Sequence, residues 1–303
     1  MIRIGIDFGG TKIEVAALRP DGYFLYRRRA PNPRRYGEAL DVAASLFQAC
    51  LDVLSNQPVL EGVGIGIPGA LSPATGRVRN ANSTWLNDRA FVEDVSLRLG
   101  RPVRAANDAN CFALSEARDG AGAGANAVFG LILGTGCGGG LVVGGALVEG
   151  VNRIAGEIGH IPLPWSPPDS AGPRECWCGR RDCLETYLSG PGLEFDFLKA
   201  TGRTATAEAV VQLARAGEAS AQAVLDRYIE RLSSACALVC SLFDPEVIVL
   251  GGGLSNVDEL YLETPPRLAG KIFSDVCLTR IAKARHGDSS GVRGAAWLWP
   301  LES

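Results

Sequence analysis

The 303-residue chain has no excess of charge of either sign. Its 30 Lys and Arg stand against 33 Asp and Glu, a net charge of −3. That leaves no basic footprint for nucleic acid and none for an anionic membrane. The N-terminus, Met1-Ile2-Arg3-Ile4-Gly5, lacks the apolar core of a signal peptide. There is no low-complexity segment or linker, and no G-x-x-x-x-G-K-[S/T] run, which excludes a P-loop. Residues 120–148 carry no charged side chain, and on length alone they reach across a bilayer. Eleven of those 29 residues are glycine, however, and Gly134-Thr135-Gly136 breaks any continuous apolar helix. The stretch is read as two buried strands joined by a glycine turn, and no membrane association is expected.

What is present fits a soluble α/β protein. Hydrophobic residues make up 47% and charged residues 21% of the chain, enough for two ordinary domains or one large one. Nine cysteines, an odd number, without a signal peptide point to a reducing cytoplasm and to clustered thiols acting as metal ligands. Cys50, Cys111, Cys137, Cys236, Cys240 and Cys277 lie in apolar company and are expected to be small buried hydrophobes.

Alternation at Ile2, Ile4 and Ile6, resumed at Ile13, Val15 and Ala17, predicts strand, glycine turn, strand around Asp7-Phe8-Gly9-Gly10-Thr11-Lys12. A third strand is expected over 23–28, a helix over 37–55, strands at 63–67 and 103–107, a short helix marked by Phe91, Val95 and Leu99, and a helix over 109–117. The opening pattern returns at 128–143, with Gly134–Gly140 as the turn, which suggests two domains of common architecture. Helices over 206–217 and 219–243, a strand at 247–250 running into Gly251-Gly252-Gly253, a strand near 276–283 and a C-terminal helix complete the order.

Three glycine-rich turns each end a strand. Each could be only a tight turn, or could offer bare backbone N–H groups to phosphate oxygens, with Thr11 and Thr135 adding hydroxyls. Asp7 either terminates its strand or holds a phosphate-bound Mg²⁺ through water. Asn107-Asp108 follows an apolar strand. Asp108 would make a good helix N-cap or a general base for an attacking hydroxyl, for which an ordinary Asp pKa of about 3.9 suffices when proton transfer comes late. His160, Cys176, Cys178 and Cys183 form the ligand set of a tetrahedral zinc ion. Four protein ligands leave no open position, so the metal is expected to be structural. It would pin a loop rich in proline (Pro162, Pro164, Pro167, Pro168, Pro173).

Together these pieces resemble the ROK (repressor, open reading frame, kinase) family of sugar kinases, within the actin-like ATPase superfamily. The resemblance covers nearly the whole chain. It rests on Asp7–Lys12 and Gly134–Gly139 as phosphate motifs, Gly251–Gly253 as an adenosine motif, and Gly156-Glu157-Ile158-Gly159-His160 with Cys176, Cys178, Cys183 and Glu185. It implies a two-domain ribonuclease H-like α/β fold with a nucleotide and sugar cleft that closes on substrate, divided as 1–117 plus 290–303 and 118–289. It implies ATP, Mg²⁺ and a structural Zn²⁺. Asp108 would be the base, and Asn82, Asn107, Glu157, His160 and Glu185 would contact the sugar. Gly9, Gly10, Thr11, Lys12, Gly134, Thr135, Gly136, Gly251, Gly252 and Gly253 would hold the nucleotide. Two departures stand out: Asp182 replaces the family's glycine before the third cysteine, and the spacer from His160 to Cys176 is long.

Within the family, the runs Asn80–Asn87 and His286–Pro300 are similar to bacterial fructokinases of mannofructokinase type. This implies phosphorylation of D-fructose, and of D-mannose as a further substrate, at the 6-hydroxyl. Kinases for glucose or an N-acetylhexosamine are the alternative. N-acetylglucosamine kinases resemble most of the chain but differ around 82–87, where Trp85 is either pocket wall or ordinary packing. A sugar-sensing repressor of the same family would need a helix-turn-helix module before Asp7, and none is expected. Relatives are often dimers, so a homodimer is an open expectation.

Overall fold

The structure is a computed structural model describing residues 1–55, 57–164 and 172–299. Pro167, Pro168 and Pro300 lie outside the described residues. In chain order the elements are β1 (Ile2–Phe8), β2 (Lys12–Leu18), β3 (Phe24–Pro31), α1 (Tyr36–Leu54), β4 (Val59–Ile67), β5 (Ala70–Leu71), β6 (Val78–Arg79), α2 (Phe91–Leu99), β7 (Val103–Asn107) and α3 (Asp108–Asp119). Then follow β8 (Ala127–Leu133), β9 (Cys137–Val143), β10 (Ala146–Leu147), α4 (Glu185–Leu188), α5 (Gly190–Thr201), α6 (Ala207–Arg215), α7 (Ala219–Phe243), β11 (Val247–Gly251), α8 (Glu259–Ala269), β12 (Arg280–Lys283) and α9 (Ser290–Ala296).

The chain divides into two compact units. The first comprises 1–120, 146–155 and the chain from His286 onward; the second comprises 121–145 and 156–285. This differs from the anticipated division at 117 and 290. The segment 146–155 belongs with the first unit for a physical reason: Leu147 packs against Ala106, Cys111 and Ala295, and the Arg79 guanidinium donates to the Asn152 carbonyl at 2.8 Å.

The sheet of the first unit runs β3-β2-β1-β4-β7, with β1 antiparallel to β2 and parallel to β4, and β4 parallel to β7. Alternation sends Ile4, Ile6 and Phe8 into a core shared with Phe47 and Leu54 of α1 and Phe91 and Val95 of α2. The opposite face receives α9. A Cβ on Gly64 would strike the Ala295 carbonyl, and one on Gly294 the Cys111 carbonyl, so α9 lies directly on β4 and α3 with no side chain between. Asp119 fastens it by accepting from Arg293 and from His286 Nε2, the latter at 2.9 Å.

The second unit repeats the scheme in the order β9-β8-β11-β12. Its β8 is antiparallel to β9 and parallel to β11, which is parallel to β12. This is the ribonuclease H-like α/β pattern of the actin-like ATPases, built twice. The 25-residue helix α7 supplies much of the core through Val224, Tyr228, Leu232 and Val239. It ends where Asp244 turns left-handed ahead of Pro245.

Some expectations shift. The third strand runs to Pro31, and the last strand is confined to 280–283. The second glycine turn closes sooner than Gly140, because Cys137–Gly140 pair as strand with Gly130–Leu133. Helices α5 and α8 had no counterpart in the sequence reading. In α8, Pro265 and Pro266 forgo two backbone bonds, while Leu260, Thr264 and Leu268 bury one face that offsets the loss.

Candidate active site and metal centre

In the first unit the parallel strands β1, β4 and β7 end side by side, with Asp7 in register with Gly66 and Ile67 with Asn107. Ligands in α/β sheets collect at such carboxyl ends. Here they frame a pocket of about 520 Å³ lined by Asp7, Gly9, Gly10, Thr11, Arg34, Pro68, Asn82–Trp85 and Asp108. The structure therefore brings the first glycine turn, both candidate carboxylates and Asn82 to one place. Arg34 was not anticipated. The signal for it was the Asn32-Pro33-Arg34-Arg35 run after β3, where Asn32 Oδ1 accepts from the Arg34 N–H at 2.9 Å and Asn32 Nδ2 donates to the Gly9 carbonyl at 2.7 Å. Trp85 fulfils both readings: it lines the pocket and tilts against Phe8 with ring centroids 6.1 Å apart.

The carboxylates are electrostatically unusual. Burial first, then the Asp108 and Glu14 charges, together push the Asp7 carboxyl up to about 7 against the opposing charges of Lys12 and Arg29. Burial likewise raises Asp108, against hydrogen bonds from the Ala109 and Asp108 N–H groups and from Asn107. The two carboxylates line one pocket and the Asp108 charge disfavours ionisation of Asp7, a repulsion that a divalent cation such as Mg²⁺ would relieve. Lys12 opens β2 and acts on Asp7 through its charge; it is not among the lining residues of the pocket.

Asp108 is not the N-cap of α3. That position belongs to Asn107, whose Oδ1 accepts from the Ala109 N–H at 2.8 Å while its Nδ2 donates to the Gly69 carbonyl at 2.9 Å. Asn107 thus ties α3 to the loop after β4 and fixes the start of the helix that carries Asp108, with one amide hydrogen and one oxygen lone pair beyond these two bonds.

In the second unit the glycine turns converge. Gly252 has φ +80°, and a Cβ there would lie 2.5 Å from the Leu133 carbonyl and 3.0 Å from the Gly134 nitrogen, so Gly251–Gly253 packs against Gly134–Gly136. Thr135 is exposed at that turn. The Gly134 carbonyl accepts from Gly190 N–H at 2.7 Å, which seats α5. Gly139 and Gly156 meet backbone to backbone, and this docks the 156–160 segment on β9. Glu157 opens the short helical turn Ile158–His160.

The sulfurs of Cys176, Cys178 and Cys183 and a ring nitrogen of His160 all lie within 4.8 Å of one another. Cys178 Sγ and Cys183 Sγ are 3.7 Å apart, and Cys176 Sγ and His160 Nδ1 3.6 Å apart. A zinc tetrahedron with ordinary bond lengths has edges of about 3.8 Å for two sulfurs and about 3.6 Å for sulfur and nitrogen. The residues fit the ion, with Nδ1 as the ligating nitrogen of His160. Asp182 keeps the turn that a glycine would make: its φ is +57°, and its Oδ1 accepts from the Arg174 N–H at 2.8 Å and from Tyr187 Oη at 2.6 Å. Arg174 and Arg231 both pair with the buried Asp196, joining this loop to α5 and α7.

Glu185 has both oxygens engaged by protein donors. Oε2 accepts from the Cys137 N–H at 2.9 Å and Oε1 from Trp177 Nε1 at 2.6 Å. The sequence pointed to Glu185 as a sugar contact and gave no sign of this bridge.

The pattern of the ROK family matches residues 3–302. An N-acetyl-D-glucosamine kinase of Pectobacterium atrosepticum is 42% identical over 303 residues, covering 99% of each chain. One from Pasteurella multocida is 41% identical, covering 98% of this chain and 99% of its own. Among solved structures, a ROK hexokinase from Thermus thermophilus superposes with a TM-score of 0.85 at 29% identity over 98% of this chain and 97% of that one. A ROK glucokinase from Streptomyces griseus, solved with glucose and AMPPNP, gives 0.77 at 28% over 98% of each. The curated relatives carry the name of N-acetyl-D-glucosamine kinase, whereas the runs at 80–87 and 286–300 pointed to fructokinases.

Proposed function

The chain belongs to the ROK family, and on that premise we propose that it transfers the γ-phosphoryl group of ATP to the 6-hydroxyl of N-acetyl-D-glucosamine. The observation that carries this reading is the placement of Asp7 and Asp108 at the ends of neighbouring parallel strands in one pocket rimmed by hydroxyl and amide groups. Asp108 accepts the proton of the attacking hydroxyl; burial raises its affinity for that proton, and Asn107 fixes its direction. Asn82, Ser83 and Thr84 offer polar partners to sugar hydroxyls, which discriminate against analogues lacking them. The glycine turns at Gly9–Gly10, Gly134–Gly136 and Gly251–Gly253 offer backbone N–H groups to the nucleotide, with Thr11 and Thr135 beside them. Mg²⁺, when bound, neutralises charge on the transferring phosphoryl group, and Asp7 would hold it. Zinc would be structural, because His160, Cys176, Cys178 and Cys183 complete its tetrahedron.

The choice of amino sugar follows the relatives at about 40% identity. The run Asn80–Asn87 favours D-fructose as the second reading, since Asn82–Trp85 line the pocket. ADP release with N-acetyl-D-glucosamine, fructose, mannose and glucose separates the two. Preference for N-acetyl-D-glucosamine supports the proposal; preference for fructose overturns it in favour of the second reading.

A further inference from the structure

Trp177 has no part in the mechanism above, yet its surroundings give it one. It stands between two candidate metal ligands, Cys176 and Cys178, and the residue is 63% exposed. Its ring meets His160 edge-on, with centroids 5.0 Å apart and an interplanar angle of 84°. An indole nitrogen can only donate, and this one donates to Glu185 Oε1 at 2.6 Å. A short bond to an ionised acceptor is among the stronger hydrogen bonds a protein makes. The other oxygen of Glu185 accepts from the Cys137 N–H at 2.9 Å, and Gly136 lies so close that a Cβ there would come 2.6 Å from Oε2. A continuous series of bonds therefore runs from the metal cluster through an indole and a carboxylate to the glycine turn at Gly134–Cys137.

We propose that Trp177 is a positioning residue that makes the Gly134–Cys137 turn depend on the metal cluster. With one zinc ion held by Cys176 and Cys178, the backbone on either side of Trp177 would be fixed and the indole N–H aimed at Glu185. Glu185 is then held with one oxygen toward the indole and the other toward the Cys137 N–H. This sets the orientation of the N–H groups that the turn presents to a nucleotide. Releasing the indole lets the carboxylate rotate, and the turn loses an anchor that no other side chain supplies among the hydrogen bonds described for Glu185.

The test uses the full-length zinc-loaded protein. Trp177→Phe keeps an aromatic ring beside His160 and removes the N–H. It should raise the KM for ATP about tenfold, the size expected for loss of a hydrogen bond to a charged group, while zinc content stays at that of the unsubstituted chain. In an E185Q background the same change should add nothing, because both act through one carboxylate. A KM for ATP within about twofold of the unsubstituted value, effects that multiply independently, or loss of zinc in W177F each overturn the proposal. A second measurement needs no turnover. The indole N–H resonance of Trp177, identified as the one absent from W177F, should move upfield and exchange faster both in E185Q and after zinc removal. An unmoved resonance overturns the proposal. The kinetic arm rests on the kinase reading and the resonance arm does not, so the failure of one is distinguishable from the failure of the other.

Discussion

Replacing Asp7 by asparagine should stabilise the nucleotide-free protein above neutral pH. The folded-state pKa of Asp7 is about 7 against an ordinary 3.8, with burial the largest cause and the Asp108 charge next. Below pH 3.8 the carboxyl is neutral in both the folded and unfolded states and contributes nothing. Between 3.8 and 7 unfolding releases its proton, so native stability falls as pH rises, and the full penalty stands above 7. At ~1.36 kcal/mol per unit over roughly three units, the penalty reaches ~4 kcal/mol, a ceiling because water in the open pocket screens the charge. A unit of this size gains about 2–4 °C in Tm per kcal/mol. Asp7→Asn should therefore melt ~5 °C or more above the unsubstituted chain at about pH 8.5, with the gap closing toward pH 4. Thermal melts across that pH range without nucleotide or Mg²⁺ make the comparison. MgATP should then raise the Tm of the unsubstituted chain more than that of the variant. A variant that melts lower at alkaline pH, or a gap independent of pH, would refute the electrostatic reading of this site.

Two further outcomes follow from the same structure. The low-pH fall in kcat/KM should lie above the ordinary Asp range, because Asp108 must be ionised to act and burial raises its pKa; a pH–rate profile flat down to about pH 4 would contradict it. Chelation of the metal, or Cys183→Ser, should raise the KM for ATP through the Trp177–Glu185–Cys137 bridge and lower the Tm, with bound zinc measured by atomic emission. Unchanged kinetics in a zinc-free protein would remove the metal from the site.

Much of this was legible in the order of residues. Isoleucine alternation before Gly9–Gly10, and an apolar run broken by Gly134–Gly136, marked both sheet-opening hairpins, because buried strands are apolar and their tight turns are glycine-rich. The Cys and His spacing marked the metal centre, since a ligand set is a matter of residue type. What the sequence concealed depends on tertiary partners. Asp182 looked like a disruption of the metal loop, and only the Arg174 N–H and Tyr187 hydroxyl show how its left-handed turn is satisfied. Asn107 was expected as a sugar contact, and its bonds to Gly69 and Ala109, which leave a second amide hydrogen and a second oxygen lone pair, were not legible in the sequence. Glu185 and Trp177 come within bonding distance because the metal loop folds back, and Cys137 reaches Glu185 across 48 residues. The prolines of α8 argued locally against a helix whose buried face outweighs them.

The central claim is that Asp108 performs the proton transfer of a sugar kinase. It is tested most directly by turnover and sugar binding in Asp108→Asn. General-base catalysis contributes about 10²–10⁴ in rate, so kcat with N-acetyl-D-glucosamine and MgATP should fall by that factor. Sugar affinity by calorimetry should stay within about threefold, because the asparagine keeps the shape and the Ala109 hydrogen bond. A kcat within about tenfold of the unsubstituted enzyme would contradict the assignment.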